Sequence, residues 1–289
     1  MDGTSRVERA IETALDMAGG RGAPPQLAAA MRYAVFPGGA RVRPRLCLAV
    51  AQANGDSDPG ATDAMATAIE LMHCASLIHD DLPCFDNADM RRGKAAVHKV
   101  FGEPLAVLAG DALIVLSFDV LARGLVQEPS RLASLLMVLA RSTGMPTGIV
   151  AGQAWECEAE VPLSSYHRQK TGSLFVAATL GGALAAGAEA EPWRRLGECI
   201  GEAYQVADDI KDMVCDAETM GKPSGQDALH RRPNAIGTFG VRGAVDRLEG
   251  LLAEAVKSIP RCAGQSELKS IIMAQAARLV PKDLATAAA

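Results

Sequence analysis

The sequence predicts an all-α fold, read as a single domain over residues 1–289. Apolar residues recur at helical spacing along most of the chain, and no run of alternating β-branched residues reads as a strand. Hydrophobic residues make up 49 % but aromatics only 4 %, so the core material is Ala, Leu and Val, suited to closely packed helices rather than a β-sandwich. No internal period and no low-complexity tract interrupts the chain.

In order, helices are expected at Val7–Ala18 and Pro25–Val35, then, after the break FPGGA, at Pro44–Ala53. The turn-rich ANGDSDPG precedes a long apolar helix, Ala61–Leu82. Leu105–Leu125 and Ser130–Thr143 follow, separated by QEPS, and then Gly148–Glu160 and Ser164–Gly187, separated by EVPLSS. Pro192–Cys215, Val241–Ser258 and Glu267–Leu279 complete the set. Between them Thr219–Gly240 is rich in Gly, Pro and basic residues, a composition that suggests a mobile flap.

Composition also excludes classes of function. A net charge of −5 argues against general nucleic-acid binding, which needs a basic face to displace counterions. The seven cysteines show no CxxC spacing and no basic-plus-apolar signal opens the chain, so reduced thiols in a cytoplasmic protein are expected. The uncharged segment Thr171–Ala188 is long enough to flag as a membrane span. Its Ala, Gly and Thr content and the absence of an aromatic belt point instead to a buried helix, in which Gly181-Gly182 permits a bend or close packing. No transmembrane segment is expected.

Two acidic clusters stand where apolar helices end. The first, LIHDDLPCFDNADMRRG, holds Asp80, Asp81, Asp86 and Asp89, followed by Arg91 and Arg92. In the second, YQVADDIKD, Asp208 and Asp212 share a helical face with Asp209 beside them. Like charges one turn apart destabilise a helix by about 0.2–0.5 kcal/mol per pair, so two such clusters point to a cation. Carboxylates without His or Cys at metal spacing select Mg²⁺ over Zn²⁺, and Mg²⁺ commonly completes its octahedron with water and phosphate oxygens. The clusters therefore read as opposing claws around a polyphosphate. Arg41, Arg43, Arg91, Arg92, Lys170 and Lys222 supply the matching bases, enough for one metal-bridged and one metal-free anion site.

These motifs resemble those of the trans-isoprenyl diphosphate synthases, the family of farnesyl and geranylgeranyl diphosphate synthases. The likeness covers GGARVRP at Gly38–Pro44, HDDLPCFDNADMRRG at His79–Gly93 and LAGDAL at Leu108–Leu113. It continues through KTG at Lys170–Gly172, YQVADDIKD at Tyr204–Asp212 and GKPSGQD at Gly221–Asp227. The resemblance implies the isoprenoid synthase fold, an antiparallel helix bundle around a deep central cavity. It implies head-to-tail condensation of isopentenyl diphosphate with an allylic diphosphate, and three Mg²⁺ ions held by Asp80, Asp86 and Asp208. Asp81, Asp209 and Asp212 complete the claws through water or through contacts behind the ligands. Carried over in the same way, Arg91, Lys170 and Lys222 hold the allylic diphosphate, and Arg43, His73 and Arg92 hold isopentenyl diphosphate. Thr171 and Gln205 face the developing carbocation, and the released diphosphate takes the final proton. A cytoplasmic homodimer in isoprenoid biosynthesis, with carotenoid precursors among its outlets, is implied as well.

Several positions depart from the family pattern. Ala40 stands where a Lys is usual, so either Arg41 next to it compensates or affinity for isopentenyl diphosphate is lower. Gln226 and Arg232 replace commonly basic positions, and Glu156 in GQAWE replaces the usual Asp. Ala75 and Ser76, five and four residues before Asp80, lie about one 5.4 Å turn deeper than the metal site. Farnesyl-making relatives place a bulky aromatic near there, so the small pair predicts a C20 product, with Met137 and Trp155 as possible deeper limits. The competing readings are a farnesyl diphosphate or longer-chain synthase, a terpene cyclase, against which DDIKD argues, and, less favoured because both claws are intact, a non-catalytic partner of a heteromeric synthase.

Overall fold

The computed structural model describes residues 3–36, 38–159, 166, 168–214 and 235–276. The expected helical architecture is present: α1 (Gly3–Ala18), α2 (Pro25–Val35), α3 (Val42–Ala53) and α4 (Pro59–Asp80) come first. They are followed by α5 (Val97–Phe101), α6 (Glu103–Gly124), α7 (Pro129–Thr143) and α8 (Ile149–Ala154). After these come α9 (Ser173–Ala185), α10 (Arg194–Val214), α11 (Ala235–Lys257) and α12 (Gln265–Ala276). α4 begins earlier than expected because Asp58 caps it, accepting the Ala61 N–H at 3.1 Å ahead of Pro59 in the first turn.

Three details differ from the sequence expectation. A short antiparallel hairpin pairs β1 (Met90–Arg91) with β2 (Lys94–Ala95), where no strand was expected. Its two turn residues, Arg92 and Gly93, have φ of 55° and 76°, the mirror-image turn that suits hairpin twist. Two-residue strands carry no alternation to read. The single helix expected over Ser164–Gly187 instead opens on a wide π turn, Arg168–Gly172, before α9. The flap expected over Thr219–Gly240 falls mostly outside the described residues, and its last part, from Ala235, already belongs to α11.

α4 and α9 form the centre of the core. Ile69, Leu71 and Met72 on α4 and Phe175 on α9 have no exposed surface, and each such side chain contributes about 1.5–3 kcal/mol by leaving water. α9 is apolar all round because it is enclosed by α3, α4, α7 and α10. Its paired glycines serve close packing, not a bend. A Cβ on Gly182 would lie 2.4 Å from the Cys47 carbonyl oxygen, and the helix runs unbroken through both glycines. Among the described residues the helix long and apolar enough to cross a membrane is α6, not the segment flagged from sequence. Its apolar window is 39 % buried, with Leu108 and Val115 exposed.

A second cluster joins α10 to α11 through Ala203, Val206, Ala207 and Ile210 against Ala244, Leu248 and Leu251. This packing fixes one face of α10 and leaves Asp208 exposed. The ends of α4 and α10, each carrying an acidic motif, thus border one cavity.

Candidate active site

The cavity measures about 590 Å³ and is lined by α3, α4, α6, α8 and α10 together with the turn before α9. Along α4, Met72, His73, Ser76, Leu77 and Asp80 face it, as the 3.6-residue repeat dictates. Ser76 lines the cavity directly, whereas Ala75 is 1 % exposed in the packed core and is not among the lining residues. Met137 is half exposed on α7 and borders a different cleft, and the Trp155 indole is tied to Gln169 Oε1 at 2.8 Å. Neither lines this cavity. Ile114, Thr143, Ile149 and Val150 do, and no local motif marked them.

At the end of α4 the Asp86 N–H donates to the Asp80 carbonyl at 3.0 Å, folding the DDLPCFD turn back on itself. Oxygens of Asp80, Asp86 and Glu156 then lie within 4.8 Å of one another. Burial, with the nearby Asp86 charge, pushes the Asp80 carboxyl above the ordinary range although Lys170 and Arg91 pull it down. Clustered hard oxygens whose charge is poorly tolerated fit a divalent cation such as Mg²⁺.

Asp81 is not one of these three clustered carboxylates. It is 2 % exposed, and both its oxygens accept from Arg91, at 2.9 and 3.1 Å from Nε. Arg91 is correspondingly engaged by a carboxylate while still lining the cavity, and its Nη2 lies 3.9 Å from Asp80. Asp89 is exposed and paired with Lys99. On the facing helix Asp208 is exposed toward the cavity, but Asp209 is 5 % exposed and spoken for. Its Oδ2 accepts the Ala235 N–H at 2.7 Å, and its Oδ1 accepts Gln205 Nε2 at 2.9 Å. Asp209 therefore ties α10 to the start of α11 while still lining the cavity. The Asp212 side chain, Lys222, Gln226 and Arg232 lie outside the described residues.

A different environment surrounds Arg43, His73 and Arg92. The Arg43 guanidinium stacks 4.5 Å over the Phe175 ring, its Nε is buried without a hydrogen-bond partner, and burial lowers its pKa. Arg92 places Nη2 at 3.2 Å from His73 Nε2, and its buried Nη1 also lacks a partner. Burial first, and then Arg43 and Arg92, hold His73 well below its ordinary pKa, so the ring is neutral and accepts from Arg92. Buried cationic N–H groups without acceptors are able to receive an anion directly, without metal.

Arg41 does not belong to that site. Its side chain has no exposed surface and donates to Glu8 at 2.8 Å, Glu70 at 2.7 Å and the Val35 carbonyl at 2.9 Å. The expected compensation for Ala40 is thereby overturned: Arg41 is committed to the core. The two glycines before it make room for these cations. A Cβ on Gly38 would sit 2.1 Å from the Arg41 guanidinium carbon, and one on Gly39 would sit 3.1 Å from Arg92 Nε.

Between the two sites, Thr171 Oγ1 donates to Gln205 Oε1 at 2.7 Å, and Asp209 fixes the other end of that amide. The carbonyl oxygen is thus turned toward Thr171 and the amide N–H₂ away from it. Lys170 Nζ lies 3.4 Å from Asp80 and also contacts Glu156, which receives the Tyr166 hydroxyl at 2.5 Å. Glu156 drew notice in the sequence only as a departure. Its spacing from Gly152 and Gln153, one turn along GQAWE, was the signal that it shares their face.

Similarity to known proteins agrees with this arrangement. Curated relatives include the geranylgeranyl diphosphate synthases of Cereibacter sphaeroides, 55 % identical over 97 % of both chains, and Rhodobacter capsulatus, 53 % identical over 95 % of both. Among solved structures, a geranyltransferase from Legionella pneumophila superposes with a TM-score of 0.81 at 29 % identity, covering 96 % of this chain and 94 % of that one. A geranyltransferase from Helicobacter pylori, complexed with magnesium and isoprenyl diphosphate, does so at 0.78 and 28 % identity, covering 95 % and 97 %. The family model described as polyprenyl synthetase matches residues 24–272, and the chain belongs to the polyprenyl synthetase family.

Proposed function

We propose that this prenyltransferase condenses isopentenyl diphosphate head to tail with allylic diphosphates, in a magnesium-dependent reaction, and releases geranylgeranyl diphosphate. The observation that carries the reading is one cavity lined by two unlike groups: the carboxylates Asp80 and Asp86, with Asp208 on the facing helix, and the pair Arg43 and His73, with Arg92 behind His73. The C20 product has separate support in the two relatives that exceed half identity along nearly the whole chain.

Asp80, Asp86 and Asp208 would hold the magnesium ions, three by family resemblance. Magnesium held there would supply the positive charge that offsets the departing diphosphate. Lys170 and Arg91 approach the same diphosphate from the protein side. Arg43, Arg92 and neutral His73 orient isopentenyl diphosphate by direct hydrogen bonds. The Gln205 carbonyl, held by Thr171 and Asp209, presents partial negative charge to the carbocation. The small Ser76, with Ala75 in the wall behind it, leaves the cavity open for a growing tail. The enzyme works in the cytoplasm as a homodimer, and the exposed apolar residues Leu108 and Val115 on α6 are consistent with a covering second copy.

The test is turnover of dimethylallyl diphosphate with labelled isopentenyl diphosphate by the purified single chain. Activity with Mg²⁺ that vanishes with chelator and returns on adding Mg²⁺ supports the reading. A chain active only with a second, different subunit contradicts it.

A further inference from the structure

Resting on the allylic-diphosphate role of Lys170 given above, we infer that Glu156 and Tyr166 form a positioning pair that sets the Lys170 ammonium beside Asp80. Glu156 lies in the 3₁₀ turn Trp155–Cys157 that continues α8, and Lys170 lies in the π turn Arg168–Gly172. The two elements are in near-backbone contact. A Cβ on Gly152 would be 2.3 Å from the Lys170 nitrogen, and the Trp155 indole bonds Gln169 at 2.8 Å.

Within this seam three of the described residues hold the Glu156 carboxylate. Oε1 accepts both the Tyr166 hydroxyl, at 2.5 Å, and the Lys170 ammonium, while Oε2 accepts the Gln153 amide at 3.0 Å. Tyr166 is 7 % exposed, and its ring centre lies 5.9 Å from the Lys170 ammonium. A lysine is a point charge on a flexible stem, and its position is set by its partners. Glu156 supplies that partner and Tyr166 fixes the oxygen that does so. Lys170 Nζ consequently stays 3.4 Å from Asp80 Oδ1, at the diphosphate end of the cavity. An aspartate at 156, one methylene shorter, is expected to keep the charged ammonium and release the hydroxyl.

The experiment compares Tyr166→Phe, Glu156→Gln, Glu156→Asp and the double variant Glu156→Asp/Tyr166→Phe with the wild type by steady-state kinetics for each substrate. Removing the hydroxyl is expected to raise KM for the allylic diphosphate about threefold, and removing the carboxylate charge about tenfold, in line with the loss of neutral and charged hydrogen bonds. KM for isopentenyl diphosphate stays unchanged. In the Glu156→Asp background, Tyr166→Phe has no further effect, because the shorter carboxylate has already released the hydroxyl. A merely structural role would raise both KM values together. That result, or an unchanged allylic KM in Tyr166→Phe, overturns the positioning pair while leaving the proposed function standing. A wild type with no turnover overturns the proposed function itself.

Discussion

Arg41 and Arg43 stand two residues apart in one motif and do unlike work. Arg41 closes a buried network with Glu8 and Glu70, and Arg43 keeps a buried Nε free of protein acceptors. Arg41→Gln leaves Glu70 as an uncompensated buried charge, so it is expected to cost about 3 kcal/mol of stability, measured by urea unfolding. Arg43→Gln is expected to leave stability unchanged and to raise KM for isopentenyl diphosphate at least about tenfold, the worth of a charged hydrogen bond. The adjacent aspartates divide in the same way. Asp208→Asn is expected to raise the Mg²⁺ concentration needed for half-maximal rate. Asp209→Asn, which loosens Gln205 and the start of α11, lowers kcat and thermal stability without moving that midpoint. Sequence made these residues visible as charges, and the family resemblance divided the aspartates, but nothing in the sequence showed what each one touches. Glu8 and Glu70, the partners that bury Arg41, lie 33 and 29 residues away, and Ala235, which engages Asp209, lies 26 residues on.

At the scale of elements, long amphipathic or wholly apolar helices were legible because the 3.6-residue repeat accumulates over many turns. The hairpin at Met90–Ala95 and the five-residue α5 are too short to accumulate one. The hairpin nonetheless decides the site, since its turn sends Arg91 to Asp81 and Arg92 to His73. The glycine pair of α9 was legible as small residues, and the structure adds what approaches them. Gly182→Ala would force the helix away from the α3 backbone, an overpacking worth about 1–3 kcal/mol, seen as a lower melting temperature with kcat retained. On α4 the expected pair divides: Ser76 faces the cavity and Ala75 the core. Ser76→Phe therefore places a ring in the path of the tail, and its product mixture is expected to shift from C20 toward C15 by chromatography. Ala75→Tyr reaches the cavity only by displacing the wall and costs stability as well.

For the whole molecule, the order of the acidic motifs and the helices before them predicted one enclosed site, and the structure brings both motifs to one cavity. What sequence could not supply was the balance within it: a carboxylate cluster whose charge burial resists, opposite cations that protein acceptors leave unsatisfied. That balance is the central claim, because it assigns one diphosphate to each side and leaves the space beyond Ser76 to the hydrocarbon. The most direct test offers the purified chain Mg²⁺ and labelled isopentenyl diphosphate with dimethylallyl, geranyl and farnesyl diphosphates in turn, and separates the products by length. The account predicts that all three primers are extended and that each series ends at C20. A series that ends at C15, with farnesyl diphosphate left unextended, would contradict it.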